Sequence, residues 1–150
     1  MREILFRGKT VDDRYVEYVG GRWACGSLVH QTEFYGDPVD KYHILYTGEF
    51  HCDYYDSVEV IPETIGQFTG LRDKNGNRIF EGDIVKYPWP DKFGVFDIFM
   101  EVHYVDGEFL MKPVGNNYYI ECWEIRISGE NNLVEVVGNI HDSPELLKGD

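Results

Sequence analysis

The feature that most constrains this chain is a two-residue alternation between residues 95 and 105. Every second side chain is apolar, namely Phe96, Ile98, Met100, Val102 and Tyr104. Most of the residues between them are charged or polar. Successive side chains of a β-strand point to opposite faces, so the pattern predicts a strand with one face over a core. Helical periodicity is almost absent elsewhere, which predicts an all-β fold.

Turn-forming residues divide the rest of the chain into short segments. Asp106-Gly107 follows the alternating stretch and predicts a hairpin into residues 109–112. Asp73-Lys74-Asn75-Gly76 is the strongest turn pattern, because Asp suits the first position of a type I turn and Gly tolerates a positive φ at the fourth. Asp83, in the next turn, is expected to accept hydrogen bonds from turn amides and so to be structural.

The spacing of these turns predicts a mainly β chain of short strands. Residues 67–141 are expected to close a small SH3-like or partly open barrel, and the first 60 residues to add N-terminal strands to it. One domain over residues 1–150 is predicted, and a division into lobes 1–61 and 62–150 stays open. Strands are predicted within residues 2–7, 14–19, 23–30, 43–46, 67–71, 78–80, 84–87, 95–105, 109–112, 118–127 and 133–140.

Local signals also predict one short C-terminal helical turn and two loops. Ser143 can cap a helix and Pro144 suits the first helical position, so about one turn of helix is expected there. A second short turn is predicted at residues 62–65. Residues 32–41 and 49–56, rich in Gly, Asp and aromatic residues, are expected to form loops.

The net charge limits which partners the chain can bind directly. Lys and Arg number 14 against 27 Asp and Glu, a formal net charge of −13. A nucleic-acid-binding protein must neutralise phosphates, so binding to nucleic acid or to an anionic membrane is disfavoured. A basic protein partner fits the charge, because opposite fields steer association. The same charge keeps an aromatic-rich surface soluble, and both explanations stay open.

Cysteine usage and the N-terminal sequence predict a cytoplasmic protein. Cys25, Cys52 and Cys122 are odd in number and form no C-x-x-C pair, as is typical of reduced thiols. The first residues lack the apolar region of a signal peptide. No stretch approaches the roughly 20 apolar residues of a membrane helix.

Three segments share their order and spacing with one protein family. The first is REILFRGK at residues 2–9. The second begins PETIGQFTGLRDKNG at residue 62 and continues with IFEGDIV up to residue 85. The third is EVVGNIHDSPELL at residues 135–147. Together they resemble the YopX family of phage and prophage proteins over essentially the whole chain, although residues 32–57 and 86–130 carry no family pattern.

This resemblance implies a gene of bacteriophages or prophages, a mainly β fold and a protein located in the cytoplasm of the bacterial host. It implies no activity and supplies no catalytic residue or cofactor. The glycines of the second segment, at intervals that bend or reverse a β chain, indicate that the family motif specifies turns.

Candidate catalytic and metal-binding residues form no recognisable arrangement. The cysteines, the five histidines and the serines Ser27, Ser57 and Ser128 lie in no nucleophile-elbow pattern. His51-Cys52-Asp53 lacks the second ligand pair that a zinc site needs. Residues 66–70 lack the lysine and helix of a phosphate-binding loop. No catalytic residue, metal site or cofactor is therefore predicted.

Carboxylates keep one enzymatic alternative open. Asp53, Asp56 and Glu59 lie close in sequence, as do Glu121 and Glu124. A glycosidase or a two-metal nuclease uses such groups where they converge in a cleft. A hydrolase or nuclease with an acidic site is accordingly an alternative function.

Aromatic residues give the candidate partner-binding site. Aromatic anchors supply large contact areas at protein interfaces, and these residues, with Trp89 in Pro88-Trp89-Pro90, are expected in acid-flanked loops. The other interpretation is that their rings cover the core. A non-enzymatic binding protein for a host or phage protein is the predicted function, and a self-associating assembly protein, a homo-oligomer, is an alternative. The candidates are Tyr42, Tyr46, Phe50, Tyr54, Tyr55 and Trp89.

Overall fold

The all-β prediction is confirmed by a computed structural model, which describes residues 3–15, 22–46, 57–115, 125–127 and 133–148. Apart from short 3-10 turns, the described elements are strands in two antiparallel sheets. The strands are β1 Phe6–Lys9, β2 Trp23–Glu33, β3 Val39–Tyr46, β4 Ser57–Val60, β5 Gly66–Arg72, β6 Arg78–Phe80, β7 Asp83–Asp91, β8 Gly94–Val105, β9 Glu108–Pro113, β10 Ile125–Arg126 and β11 Glu135–Asn139.

The chain divides into two compact units, residues 1–68 (unit 1) and residues 69–150 (unit 2). β5 crosses this boundary, and its end lies beside β6. The single-domain organisation remains a prediction.

In unit 1 the strands close into a ring. Strands β4, β3, β2 and β1 are neighbours in that order. The chain after β1 then meets β4, because Thr10 bridges Val60. The amide of Val11 donates to Glu59 O at 3.1 Å, and that of Ile61 donates to Lys9 O at 2.8 Å. The sequence analysis predicted a barrel at residues 67–141. In the described chain, the strands that close into a ring are those of unit 1.

The ring of unit 1 encloses a small apolar core. Its buried residues are Ala24, Ile44, Val58 and Val60, with Phe6, Leu28, Tyr42 and Ile65 packed around them. Two glycines allow the strands to approach this closely. A Cβ at Gly26 would lie 1.8 Å from Leu45 O, and one at Gly8 would lie 2.9 Å from Val60 Cβ. Side chains at these positions are therefore excluded by the backbone and by the core.

In unit 2 five strands form a sheet in the order β10-β9-β8-β7-β11. The alternating stretch forms β8, and three of its five apolar positions, Ile98, Met100 and Val102, are buried as predicted. Phe96 and Tyr104, at the two ends of that face, are exposed. The Asp106-Gly107 turn joins β8 to β9 with positive φ at both residues, the conformation of a tight two-residue hairpin.

The Asp73 turn joins β5 to β6 and also fastens β11. Gly76 has a φ of 83°, and its amide donates to Asp73 O, as the turn pattern predicts. The buried Asp73 carboxylate accepts the amides of Asn75 and Asn77 at 2.9 and 2.8 Å. Its second oxygen accepts the amide of Val136 in β11 at 3.0 Å. One side chain therefore fixes the turn and a strand 63 residues away.

Asp83 has the structural role predicted for it. The carboxylate is buried, and its Oδ2 accepts the amide of Phe80 at 2.8 Å. Gly82, beside it, has a φ of 85°, which completes the turn between β6 and β7. The 3-10 turn Pro62–Thr64 is also present where the sequence predicts it.

The short C-terminal helical turn is present as the 3-10 turn Pro144–Leu147. Three local predictions are wrong. Ser143 makes no side-chain cap, and its amide donates to Asn139 O instead. Residues 13–15 form a 3-10 turn where a strand was predicted to begin. Residues 32–33 and 39–41 are paired strand, because β2 and β3 form one long hairpin, and the loop shrinks to residues 34–38. Residues 49–56 lie outside the described residues.

None of the helical segments in the described ranges has the length and apolar character needed to span a membrane.

Thr10→Val is expected to stabilise the protein. Thr10 is buried, and within the described structure its hydroxyl has no hydrogen-bond partner. Valine keeps the β-branched shape and removes this polar atom, so the free energy of unfolding should rise by about 1 kcal/mol in urea titrations. The matched control is Thr69→Val, whose buried hydroxyl donates to Ile79 O and should cost about 1 kcal/mol. A less stable Thr10→Val protein would contradict this account.

Asp73→Asn is expected to destabilise the protein by about 3 kcal/mol, because an amide nitrogen would face backbone N–H donors. Burial raises the pKa of Asp73. The hydrogen bonds from the amides of Val136, Asn77 and Asn75 together lower it by more than burial raises it, so the pKa lies below the ordinary value of 3.8. Stabilisation by the carboxylate is therefore complete above pH 3.8 and is lost as the pH falls through the lower folded pKa.

Chemical denaturation from about pH 7 down to about pH 2 checks this sign. The difference between wild type and Asp73→Asn should be constant at neutral pH and shrink below pH 3.8. Asp106→Asn is the control, since this exposed turn residue has a φ of 50°, which asparagine adopts readily. A loss of stability at Asp106 equal to that at Asp73 would refute the assignment.

Candidate functional site

Tyr42 packs against the core of unit 1. It lies in β3, is half-buried and contacts the apolar cluster around Ile44. Its ring stacks on His30 with centroids 4.7 Å apart and planes 10° apart. The position fits the interpretation in which aromatic rings cover the core.

Four other predicted residues are described in part or not at all. Tyr46 lies in β3 opposite Gly26, but its side chain lies outside the described structure. Phe50, Tyr54 and Tyr55 also lie outside the described residues. Their role in partner binding remains a prediction.

Trp89 lies in a strand and not in the loop that the sequence suggested. It pairs with Phe96 across β7 and β8, and its half-buried ring packs against the core of unit 2. The ring of Tyr87 lies 6.4 Å from it at 53°. Pro88 and Pro90 flank it, and proline is excluded from the interior of a sheet because it cannot donate a ladder hydrogen bond.

Both prolines suit this end of β7 because it lies beyond the part of the strand that pairs with β11. They pair with Asp97 and Val95. A proline cannot donate in a hydrogen-bonded pair, so both pairs are of the non-hydrogen-bonded type, and the proline nitrogens face away from β8. β11 pairs with β7 up to Lys86, so in the described part of the chain these nitrogens meet no further strand.

In each unit one hairpin is longer than the strands beside it. β1 pairs with β2 at residues 23–26, and β4 pairs with β3 at residues 42–45. Residues 31–41, here called arm 1, therefore form a two-stranded ribbon. In unit 2, residues 87–98, called arm 2, extend in the same way beyond β11 and β9.

Arm 1 places two aromatic rings in solvent at its tip. Phe34 is 75% exposed and Tyr35 is 101% exposed. Gly36, with a φ of 95°, reverses the chain immediately after them. The tip carries the carboxylates of Glu33 and Asp37 beside these rings. Large exposed aromatic side chains are typical of a protein-binding surface.

Polar contacts brace the base of arm 1. Thr32 Oγ1 donates to Asp40 Oδ1 at 2.8 Å across the two strands, and His30 Nε2 lies 3.0 Å from the same oxygen. These two contacts, first that of Thr32 and then that of His30, lower the pKa of Asp40. Asp40 therefore stays ionised at neutral pH. Lys41 Nζ pairs with Glu33 Oε2 at 3.1 Å on the other face.

Sequence reasoning missed Phe34 and Tyr35 as site residues. The signal was present, because Tyr35-Gly36-Asp37-Pro38 is rich in turn residues and follows a polar stretch without an apolar face. The missing information was the length of β2 and β3, which places these rings at the end of a projecting hairpin.

Arm 2 also exposes apolar side chains. Phe93 is 86% exposed at the turn, and Val95 is 69% exposed on the strand that follows. Lys92 Nζ lies 5.0 Å from the ring centroid of Phe93. In the strand β8 the buried Ile98 faces the core, and Val95 lies three positions before it, so Val95 belongs to the opposite face.

Candidate catalytic groups do not converge in the described chain. Among the described residues, no three His, Cys, Asp or Glu side chains are placed to hold a metal ion. Cys25 lies half-buried in β2, and Glu59 lies in β4. Cys52, Cys122 and the other clustered carboxylates lie outside the described residues.

Trp89→Ala is expected to lower the free energy of unfolding by about 2 to 3 kcal/mol, because it removes a ring that packs against the core of unit 2. Phe93→Ala, on the same arm but at an exposed position, should change it by less than about 0.5 kcal/mol. Urea titrations measure both. Equal effects would show that Trp89 does not cover the core.

Comparison with known proteins gives a family and similar solved structures. A search of curated proteins found no match. The crystal structure of protein EF1440 from Enterococcus faecalis is similar at 24% sequence identity, covering 99% of this chain and 100% of that one, with a TM-score of 0.45. The family model described as YopX protein matches residues 14–148, a range that includes the second and third motif segments, and it confirms the family resemblance. The chain belongs to the YopX family.

Proposed function

We propose that this protein is a non-enzymatic binding protein, encoded by a phage or prophage, that captures a basic protein in the cytoplasm of the bacterial host through arm 1. The observation that carries the proposal is the pair of exposed rings, Phe34 and Tyr35, at the tip of an ordered hairpin.

The aromatic tip supplies the apolar part of such a contact. Phe and Tyr are enriched at interface centres, because each buries a large area with few rotatable bonds. The two rings are exposed to water in the free protein. A partner that covers them removes apolar surface from water, which favours binding. Tyr35 also has a hydroxyl that can hydrogen-bond at the edge of the interface.

The carboxylates favour a basic partner over a neutral or acidic one. Arm 1 carries Glu33, Asp37 and Asp40 against one lysine, Lys41. A Lys or Arg side chain from a partner can stack on an aromatic ring while it contacts a neighbouring carboxylate. The net charge of −13 adds long-range attraction for a basic protein.

The bracing of arm 1 reduces the cost of binding. The contacts of Asp40 with Thr32 and His30 hold the two strands in register before a partner arrives. A preorganised arm loses little conformational entropy on association, so more of the contact energy becomes affinity.

The biological setting comes from the family resemblance. The YopX motifs support a gene carried by bacteriophages or prophages, and therefore a protein that meets host proteins inside a bacterium. Capture of a host or phage protein is the consequence we propose for this setting.

The test is affinity capture from nuclease-treated lysate of the natural host, comparing wild type with Phe34→Ser/Tyr35→Ser. The two aromatic anchors should contribute about 2 kcal/mol each, so capture of a basic protein should fall by more than tenfold. Capture should also weaken as NaCl rises from about 50 to about 500 mM, because salt screens the attraction.

The matched control is Phe93→Ser/Val95→Ser, which removes two exposed apolar side chains from arm 2 and should leave the capture unchanged. Both double variants keep the net charge, and their melting temperatures should match wild type. A captured protein that is retained equally by the arm 1 variant, or that is acidic, would overturn the proposal.

A further inference from the structure

Arm 2 carries an apolar surface that is separate in sequence from arm 1. Alternate positions of β8 point away from the core of unit 2, so Val95 and Asp97 of arm 2 share an outer face with Phe99, the residue that follows the arm. Pro90 lies opposite Val95 on β7, and Phe93 lies at the turn. Phe93, Val95 and Phe99 are 86%, 69% and 38% exposed.

The exposed area of these side chains is about that which one partner contributes to a small protein interface. With about 200 Å² for a whole Phe side chain and somewhat less for Val, the three residues expose roughly 350 Å². Monomeric proteins seldom leave a contiguous apolar patch above a few hundred Å² without a use for it. Two such patches in contact would bury roughly 700 Å² or more, which is below the range of stable complexes and within that of weak ones.

The patch carries charges of both signs, so the positive charge of one copy can face the negative charge of another. Arm 2 contains one lysine, Lys92, and the two aspartates Asp91 and Asp97, so it carries both signs of charge in a chain whose net charge is −13. Lys92 lies at the turn, and Asp97 lies farther along the outer face. If two arms pack antiparallel about a two-fold axis, Lys92 of each copy comes beside Asp97 of the other.

Strand addition does not explain this surface. Pro88 and Pro90 leave the open edge of β7 without donors at the positions that face outward. Antiparallel pairing of the β8 edges of two copies would bring their Asp97 carboxylates close together. Contact through side chains on the outer face avoids both problems.

We propose that the outer face of arm 2 binds the same face of a second copy of this chain, forming a weak two-fold dimer. Phe93 and Val95 form its apolar centre, Lys92 and Asp97 flank that centre, and Phe99 lies beyond Asp97 on the same face. The dimer does not depend on the partner proposed for arm 1, because it uses a different hairpin in a different unit.

The net charge gives this dimer a distinctive salt dependence. Two copies repel each other through their charges of −13, so added salt should strengthen the dimer by screening that repulsion. Binding of a basic protein by arm 1 should weaken under the same change. The two proposals can therefore fail separately.

Sedimentation velocity of the full chain tests the dimer at protein concentrations from about 5 to about 500 µM, in about 50 and about 500 mM NaCl. We expect a reversible monomer–dimer equilibrium with a larger dimer fraction at high salt. Phe93→Ser/Val95→Ser should weaken association by more than tenfold. A chain that is monomeric throughout, or a dimer that this variant does not weaken, would overturn the proposal.

Charge exchange tests the predicted contact between Lys92 and Asp97. At about 150 mM NaCl, Lys92→Asp should weaken the dimer by about tenfold, because two attractive contacts become repulsive. Lys148→Asp is the control, since it changes the net charge equally at an exposed residue near the C-terminus, and it should weaken the dimer less.

The double variant Lys92→Asp/Asp97→Lys should restore association, because a two-fold contact keeps opposite charges facing when both are exchanged. Failure of the double variant to recover, with circular dichroism and melting temperature unchanged, would reject this pairing.

Discussion

Backbone hydrogen bonding between strands is the constraint on which the rest of this structure depends. Without helices of more than one short turn in the described chain, each buried amide and carbonyl needs a neighbouring strand, a side chain or solvent. Unit 1 meets this need by closing its sheet where Thr10 bridges Val60. Unit 2 uses buried carboxylates, because Asp73 accepts the amide of Val136 and Asp83 accepts that of Phe80. The family motif therefore places acids and glycines where strands end.

The two arms follow from the same constraint applied to strands of unequal length. β2 and β8 continue beyond their neighbours, so in part of each hairpin every strand is paired on one side only. Polar contacts of Asp40 brace arm 1, and prolines at positions 88 and 90 protect an edge of arm 2. Exposed aromatic residues then lie at the ends of ordered ribbons, where a partner can reach them.

Much of the fold could be predicted from sequence, but the position of the functional surfaces could not. Alternation at residues 96–104 and the Asp73 turn are local patterns, and the structure confirms both. Phe34 and Tyr35 were missed because nothing in the sequence shows where β2 stops having a neighbour. Trp89 was expected in a loop but lies in a strand, and the prolines on either side of it are compatible with the unpaired edge of that strand. Edges are defined by the whole sheet and not by the strand itself.

The sequence by itself determined the β class, the principal turns, the acidic charge and the YopX family, because each depends on residue type or on spacing along the chain. The tertiary structure alone decided which ends of the sheet meet, which residue bonds to Asp73 across 63 positions, and which aromatic rings lie in solvent. These features depend on contacts between residues far apart in sequence. A two-residue period shows which face of a strand a side chain lies on, but it does not show whether another part of the chain covers that face.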